Sequence, residues 1–214
     1  MSIRVAVVDY GIGNVFSVCN ALRSIGADVL LTRNFSEIKD ADRLILPGVG
    51  AFARAMEAIA QHGVAGAVAE YIASGKPFLG ICIGMQVLMD SSTEFGDHKG
   101  LGYFPGTVER VASVNPTGGH VRVPNIGWSN LREDQPFAGT PLSVASAGAV
   151  YFVHSYQCQP TDNKHVLASV DYDGVPVTAA IRRDNVMGVQ FHPERSGPVG
   201  QEILKLFVNK GVSF

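Results

Sequence analysis

One cysteine stands between two glycines in Gly80-Ile81-Cys82-Ile83-Gly84, where an apolar run gives way to a helical pattern. That placement can make a nucleophile. A sharp strand-to-helix turn lifts the central side chain above a sheet, and small flanking residues relieve the crowding around it. Sulfur held there faces the amide groups that open a helix, which favour the thiolate over the thiol. The plainer reading of the same stretch is a small buried residue in a tight turn, because free cysteine is usually buried and inert. The pattern alone leaves both readings open.

A thiolate attacking an amide needs a proton donor for the leaving amine, and GVQFHPERSG (188–197) offers His192 with Glu194 two residues on. In extended backbone, residues two apart project to one face, so Glu194 could hold the imidazole in the tautomer a triad requires. Without a candidate cysteine the same pair would read as a surface His and Glu at a strand end. The remaining need is an oxyanion hole, and LPGVGAF (46–52) is a glycine-rich turn at the end of another strand. Its amides, with that of Ile83, could point at developing charge, although such a turn is also simply how a strand passes into a helix. DYGIGN (9–14) contains G-x-G, but Phe16 occupies the third glycine position of a dinucleotide fingerprint and no Walker A pattern occurs. His62, His98, His120, His154 and His165 lack the spacing of metal ligands, so no metal or other cofactor is expected.

These residues must be positioned by a fold, and the chain alternates strand and helix patterns. RVAVVDY (4–10), DVLLTR, RLILPG (43–48) and PFLGIC (77–82) read as strands. Between them lie a helical face of Val15, Phe16, Val18, Cys19, Leu22 and Ile25, a short polar helix from Ser36, and two Ala-rich helical stretches reaching Gly75. This alternation predicts a mostly parallel sheet flanked by helices on both faces. Beyond about residue 100 the runs VERVA, HVRVPNIGW, AVYFVHSYQC, HVLASVDYDG, VPVTAAIRR and VMGVQFH read as a mixed, partly antiparallel C-terminal extension of that sheet. A final helix follows Ser196 and Pro198, with Val199, Ile203, Leu204 and Phe207 on its apolar face. With no repeat, low-complexity tract or linker, residues 1–214 are expected to form one α/β domain.

Composition narrows the partners. A formal charge of −2 with no Lys/Arg cluster gives no electrostatic reason to expect nucleic acid or an anionic membrane. No apolar run approaches the length that spans a bilayer, and MSIRVAVVDYGIGN reads as a first strand rather than a signal peptide. Three scattered cysteines (Cys19, Cys82 and Cys158) suit reduced thiols in a cytoplasm better than a disulfide framework.

Taken together, GICIGMQ, FHPERSG and PGVG resemble the class I glutamine amidotransferases, and they occur in that family's order across most of the chain. DYGIGN, LPGVGAF, VPNIGW and YFVHSY extend the resemblance, from about residue 4 to 210, to the glutaminase subunits of imidazole glycerol phosphate synthases. The resemblance implies Cys82 as nucleophile, His192 as general acid and base, Glu194 as its orienter, and oxyanion-hole amides at Ile83 and the Val49-Gly50 region. It implies that Gln86 and Glu94 hold the substrate L-glutamine, Glu94 through the α-ammonium, with Ser155 and Tyr156 on the opposite wall. It also implies a heterodimer with a (β/α)8 cyclase subunit that receives the ammonia for histidine biosynthesis. Asn14, Asn125, Trp128 and Arg195 would then lie at the partner interface. Asn125 stands where many such proteins have His or Gln, and Arg195 where FHPEKSG is common, so both departures bear on the partner rather than on the chemistry. Two other readings remain: a paralogous glutaminase serving another acceptor, such as amino-sugar synthesis, and a catalytically silent regulatory subunit of the same fold.

Overall fold

The computed structural model describes residues 3–209. Its first half runs β1 (Arg4–Val8), α1 (Val15–Ser24), β2 (Asp28–Thr32), α2 (Phe35–Asp40), β3 (Arg43–Gly48), α3 (Phe52–Gln61), α4 (Val64–Ala73), β4 (Phe78–Cys82) and the single-turn α5 (Ile83–Gln86). The second half contains β5 (Met89–Ser92), β6 (His98–Lys99), β7 (Phe104–Arg110), β8 (Asn125–Ser129), β9 (Arg132–Glu133), β10 (Val150–His154), β11 (Tyr156–Pro160), β12 (Val166–Tyr172), β13 (Val175–Arg183), β14 (Val186–Val189) and α6 (Gly197–Val208).

An eight-stranded sheet in the order β2-β1-β3-β4-β14-β13-β12-β9 forms the centre. The pairs from β2 through β14 are parallel, and those from β14 to β9 are antiparallel. Every residue of β3, β4 and β14 is buried, as expected of strands covered on both faces. Alternation of apolar strands with amphipathic helices thus gives the expected α/β layers. Gly80, Gly84 and Gly188 let the strands and α5 pack closely at the middle of this sheet, and a Cβ on Gly84 would sit 1.7 Å from the Leu46 carbonyl oxygen.

The expected C-terminal extension divides. β12, β13 and β14 join the main sheet, but β7 and β11 form a separate four-stranded sheet with β5 and β6, and β8 and β10 make a two-stranded sheet. Turn signals and strand patterns mark strands without saying which sheet they enter, a matter of long-range partners. The helical pattern after Cys82 also lasts only one turn before β5 begins, because β5 is drawn into register with β7.

Candidate active site

The carboxyl ends of β3, β4 and β14 lie side by side in the sheet, which is where open parallel sheets place their ligand crevices. Cys82 ends β4 and opens α5 with φ 55° and ψ −111°, a conformation that a residue with a Cβ resists. The neighbours enforce it. A Cβ on Gly80 would meet the Gly84 carbonyl oxygen at 2.5 Å, so only glycine at both positions lets the chain fold back tightly enough to present the sulfur. Cys82 is 5% exposed, which satisfies the plain reading of burial and the nucleophile reading at once.

His192 follows β14, and its Nδ1 lies 2.8 Å from Glu194 Oε1, with both side chains almost wholly buried. Nδ1–H therefore donates to the carboxylate, which leaves Nε2 to face the sulfur. Nε2 has no nitrogen or oxygen partner, and the group it faces is the Cys82 sulfur. Burial by itself favours the neutral ring, yet the Cys82 sulfur and the Glu194 carboxylate together raise the His192 pKa from its ordinary value to about 10. The expected route of Glu194 to His192 needs correction. Pro193–Arg195 form a 3-10 turn, so the carboxylate returns to the ring by a turn rather than by strand alternation. Ser196 locks this turn: its Oγ donates to the His192 carbonyl at 2.7 Å and accepts from the Tyr151 amide at 2.9 Å.

A cavity of about 350 Å³ is lined by Val49, Gly50, Cys82, Ile83, Gln86, Glu94, Pro124, Val153, His154, Ser155, Tyr156 and His192. The expected nucleophile, base, oxyanion amides and substrate contacts thus come together, with Glu194 behind His192. Glu94, 8% exposed, accepts from the Phe52 amide at 2.6 Å, which fixes a carboxylate at the start of α3 and in the cavity wall. Gln86 Oε1 is buried without a partner, leaving an acceptor for a ligand's N–H group. On the β3 side Gly50 has φ +97°, and Tyr10 Oη donates to the Pro47 carbonyl at 2.8 Å, tying the start of the PGVG turn to the first loop. Among the described residues no group of three or more His, Cys, Asp or Glu could hold a metal ion.

Asn14, Trp128 and Arg195 lie outside this cavity. Asn14 is exposed and caps α1 by accepting from the Ser17 amide. Trp128 is 56% exposed, which rules out core packing. It stands opposite Tyr151 across the β8/β10 ladder with ring centroids 5.7 Å apart, and the Arg195 guanidinium lies 4.7 Å from the Tyr151 ring centre. Asn125, expected to meet a partner, instead turns inward: it is 1% exposed, and its Nδ2 donates to His154 Nε2 at 3.0 Å. Strand alternation on β8 explains this, because Ile126 and Trp128 take the outer face and leave Asn125 the inner one.

Sequence reasoning passed over His154 and Gln190. His154 donates from Nδ1 to the Tyr156 carbonyl at 2.8 Å, and burial lowers its pKa to about 4 despite that bond, so the ring is neutral. Gln190, fully buried, places Nε2 3.6 Å from Cys82 Sγ. Gln190 follows β14 at a bend, so strand alternation in the sequence did not point it at the sulfur.

Residues 6–210 match the family model described as glutamine amidotransferase class-I. The chain is 42% identical over 208 residues to imidazole glycerol phosphate synthase subunit HisH 1 of Legionella pneumophila (strain Lens), covering 95% of this chain and 98% of that protein. It is 46% identical over 207 residues to imidazole glycerol phosphate synthase hisHF, chloroplastic, of Arabidopsis thaliana, covering 96% of this chain and 34% of the plant protein. The fold is similar to that in the structure of PurLQS from Thermotoga maritima, with a TM-score of 0.70, 20% identity, and coverage of 97% of this chain and 98% of that one. With its fold and its near-full-length similarity in agreement, this chain belongs to the class I glutamine amidotransferases, within the HisH branch.

Proposed function

We propose that this chain is the glutaminase subunit of an imidazole glycerol phosphate synthase, acting as one domain in the cytoplasm and joined to a (β/α)8 cyclase subunit as a heterodimer. The observation that carries the reading is the buried line from Cys82 through His192 to Glu194, opening on a cavity that also holds Glu94 and the unpaired Gln86 Oε1. His192 Nε2 holds the proton of the Cys82 thiol, and the thiolate attacks the carboxamide carbon of L-glutamine. The amides of Ile83 and the Val49-Gly50 turn hold the developing oxyanion. As the intermediate collapses, the C–N bond breaks and His192 Nε2–H protonates the departing nitrogen, leaving a thioester on Cys82. His192 then draws a proton from water, which adds to the thioester, and the sulfur departs as glutamate forms. Glu94 pairs with the substrate's α-ammonium, and Ser155 and Tyr156 close the other wall.

The partner half of the reading is supported by the relatives, which are named for imidazole glycerol phosphate synthase. The plant relative is a synthase about three times as long as its matching region, which accords with a glutaminase working beside a second catalytic unit. In a complex reconstituted with the cyclase subunit, Cys82→Ala should abolish glutamine-dependent synthesis and leave ammonia-dependent synthesis nearly unchanged. Glutamine-dependent turnover that survived the substitution would falsify the assignment. A parent chain inactive with every candidate partner would favour the silent regulatory reading instead.

A further inference from the structure

Gln190 follows the end of β14 at a bend, with its backbone amide anchored on the Ala179 carbonyl at 2.8 Å. Gln190 is fully buried between the core residues Val189 and Phe191. A fully buried carboxamide needs partners, and those of Gln190 are unusual. Its Oε1 accepts from Gln86 Nε2 at 2.9 Å, and its Nε2 reaches Cys82 Sγ.

The orientation of that carboxamide follows from the hydrogen bonds around it. The Tyr156 carbonyl can only accept, so the atom of Gln86 lying 3.0 Å from it must be the amide nitrogen. The second hydrogen of that nitrogen then requires an oxygen on Gln190. Gln190 is left with its N–H group toward the sulfur, and turning it over would set two N–H groups against each other and a carbonyl oxygen against the thiolate. Backbone geometry at Tyr156 thus fixes, through two carboxamides, a donor aimed at the nucleophile.

We propose that Gln190 stabilises the Cys82 thiolate by donating a hydrogen bond to it, as a second donor besides His192. This rests on the reading of Cys82 as the nucleophile. A hydrogen bond to a charged acceptor is stronger than one to a neutral sulfur, so the contact favours the thiolate at rest and again when sulfur leaves the thioester. It lowers the basicity of the sulfur, and with it part of the intrinsic nucleophilicity.

Alkylation of Cys82 by iodoacetamide, followed against pH, tests this without requiring glutamine turnover. Gln190→Met keeps the volume and removes the donor. The midpoint of its rate profile should move up by about one pH unit, with the high-pH plateau raised about threefold by the more basic sulfur and the rate below the midpoint lowered about threefold. A merely structural role predicts the opposite pattern. An unmoved midpoint, with the plateau either unchanged or reduced, overturns the proposal. Should Gln190→Met fail to fold, the side-chain amide protons of Gln190 can be followed by NMR in the parent and in Cys82→Ala. They should shift when sulfur is removed, and unchanged resonances overturn it equally. A chain that hydrolyses no glutamine but shows the expected alkylation shift would refute the proposed function and leave the role of Gln190 intact.

Discussion

Two buried histidines a short distance apart in the site are held in opposite protonation states. Burial disfavours charge on both, but His192 faces a sulfur and a carboxylate, which raise its pKa to about 10, whereas His154 is lowered to about 4 by burial despite its bond to the Tyr156 carbonyl, with the nearby His192 opposing its charge further. Removing the sulfur in Cys82→Ala should therefore move the His192 midpoint down, as NMR titration of its ring carbons would record. Stability follows with opposite signs. The raised pKa of His192 contributes stability that is complete below its unfolded value near 6.5 and is lost as pH climbs toward about 10. The lowered pKa of His154 contributes stability that is present above about 6.5 and is lost as pH falls toward about 4. His154→Gln should flatten the stability profile over that acid window, on the order of 3 kcal/mol at most. Chemical denaturation at a series of pH values checks this, and an equally steep acid loss in the variant would exclude His154 as its source.

At the scale of elements, the turn from β4 into α5 stores strain at the nucleophile. Cys82 occupies a positive-φ conformation that costs on the order of 1–3 kcal/mol for a residue bearing a Cβ. Glycine adopts it freely, so Cys82→Gly should be more stable than Cys82→Ala by about 1 kcal/mol, although alanine buries more apolar surface and limits the unfolded chain. Thermal melts of the two variants make the comparison, and a more stable alanine variant would show that the turn is relaxed. The PGVG turn differs: Val49 is 39% exposed, and Gly50 at φ +97° holds a left-handed conformation that glycine adopts without strain.

Across the whole molecule, the sheet delivers three strand ends to one site, and the small β8/β10 ladder places an apolar face beside it. Ile126 and Trp128 are more than half exposed there, Val153 is 36% exposed, and Arg195 rests on Tyr151. Aromatic and arginine anchors dominate many interfaces, so Trp128→Ala should weaken binding of the cyclase subunit by about 2 kcal/mol or more. Its exposure predicts little change in the melting temperature of the free subunit; a large drop there with unchanged affinity would return Trp128 to a structural role. A glutaminase released from its partner would waste ammonia to water. The free subunit is therefore expected to be nearly silent, gaining about 100-fold to 1000-fold in turnover when partner and acceptor bind, as one oxyanion donor would supply. Steady-state kinetics separate this from tighter glutamine binding alone, which would appear in KM with kcat already high.

Local chemistry makes much of this protein legible in its sequence. Apolar runs alternating with amphipathic stretches identified the parallel half of the sheet, and Gly80-Ile81-Cys82-Ile83-Gly84 identified a turn whose glycines leave no room for another residue. Such features depend on neighbours within a few residues, which a sequence displays. The tertiary structure alone decided the rest. It sent β7, β8, β10 and β11 into separate small sheets, because strand partners are chosen at long range. It turned Asn125 inward onto His154, because the face a strand residue takes depends on which side of the ladder is covered. It brought Gln190 to the sulfur through Gln86 and Tyr156, because a hydrogen-bond chain linking positions 70 and more residues apart leaves no periodic trace in the sequence.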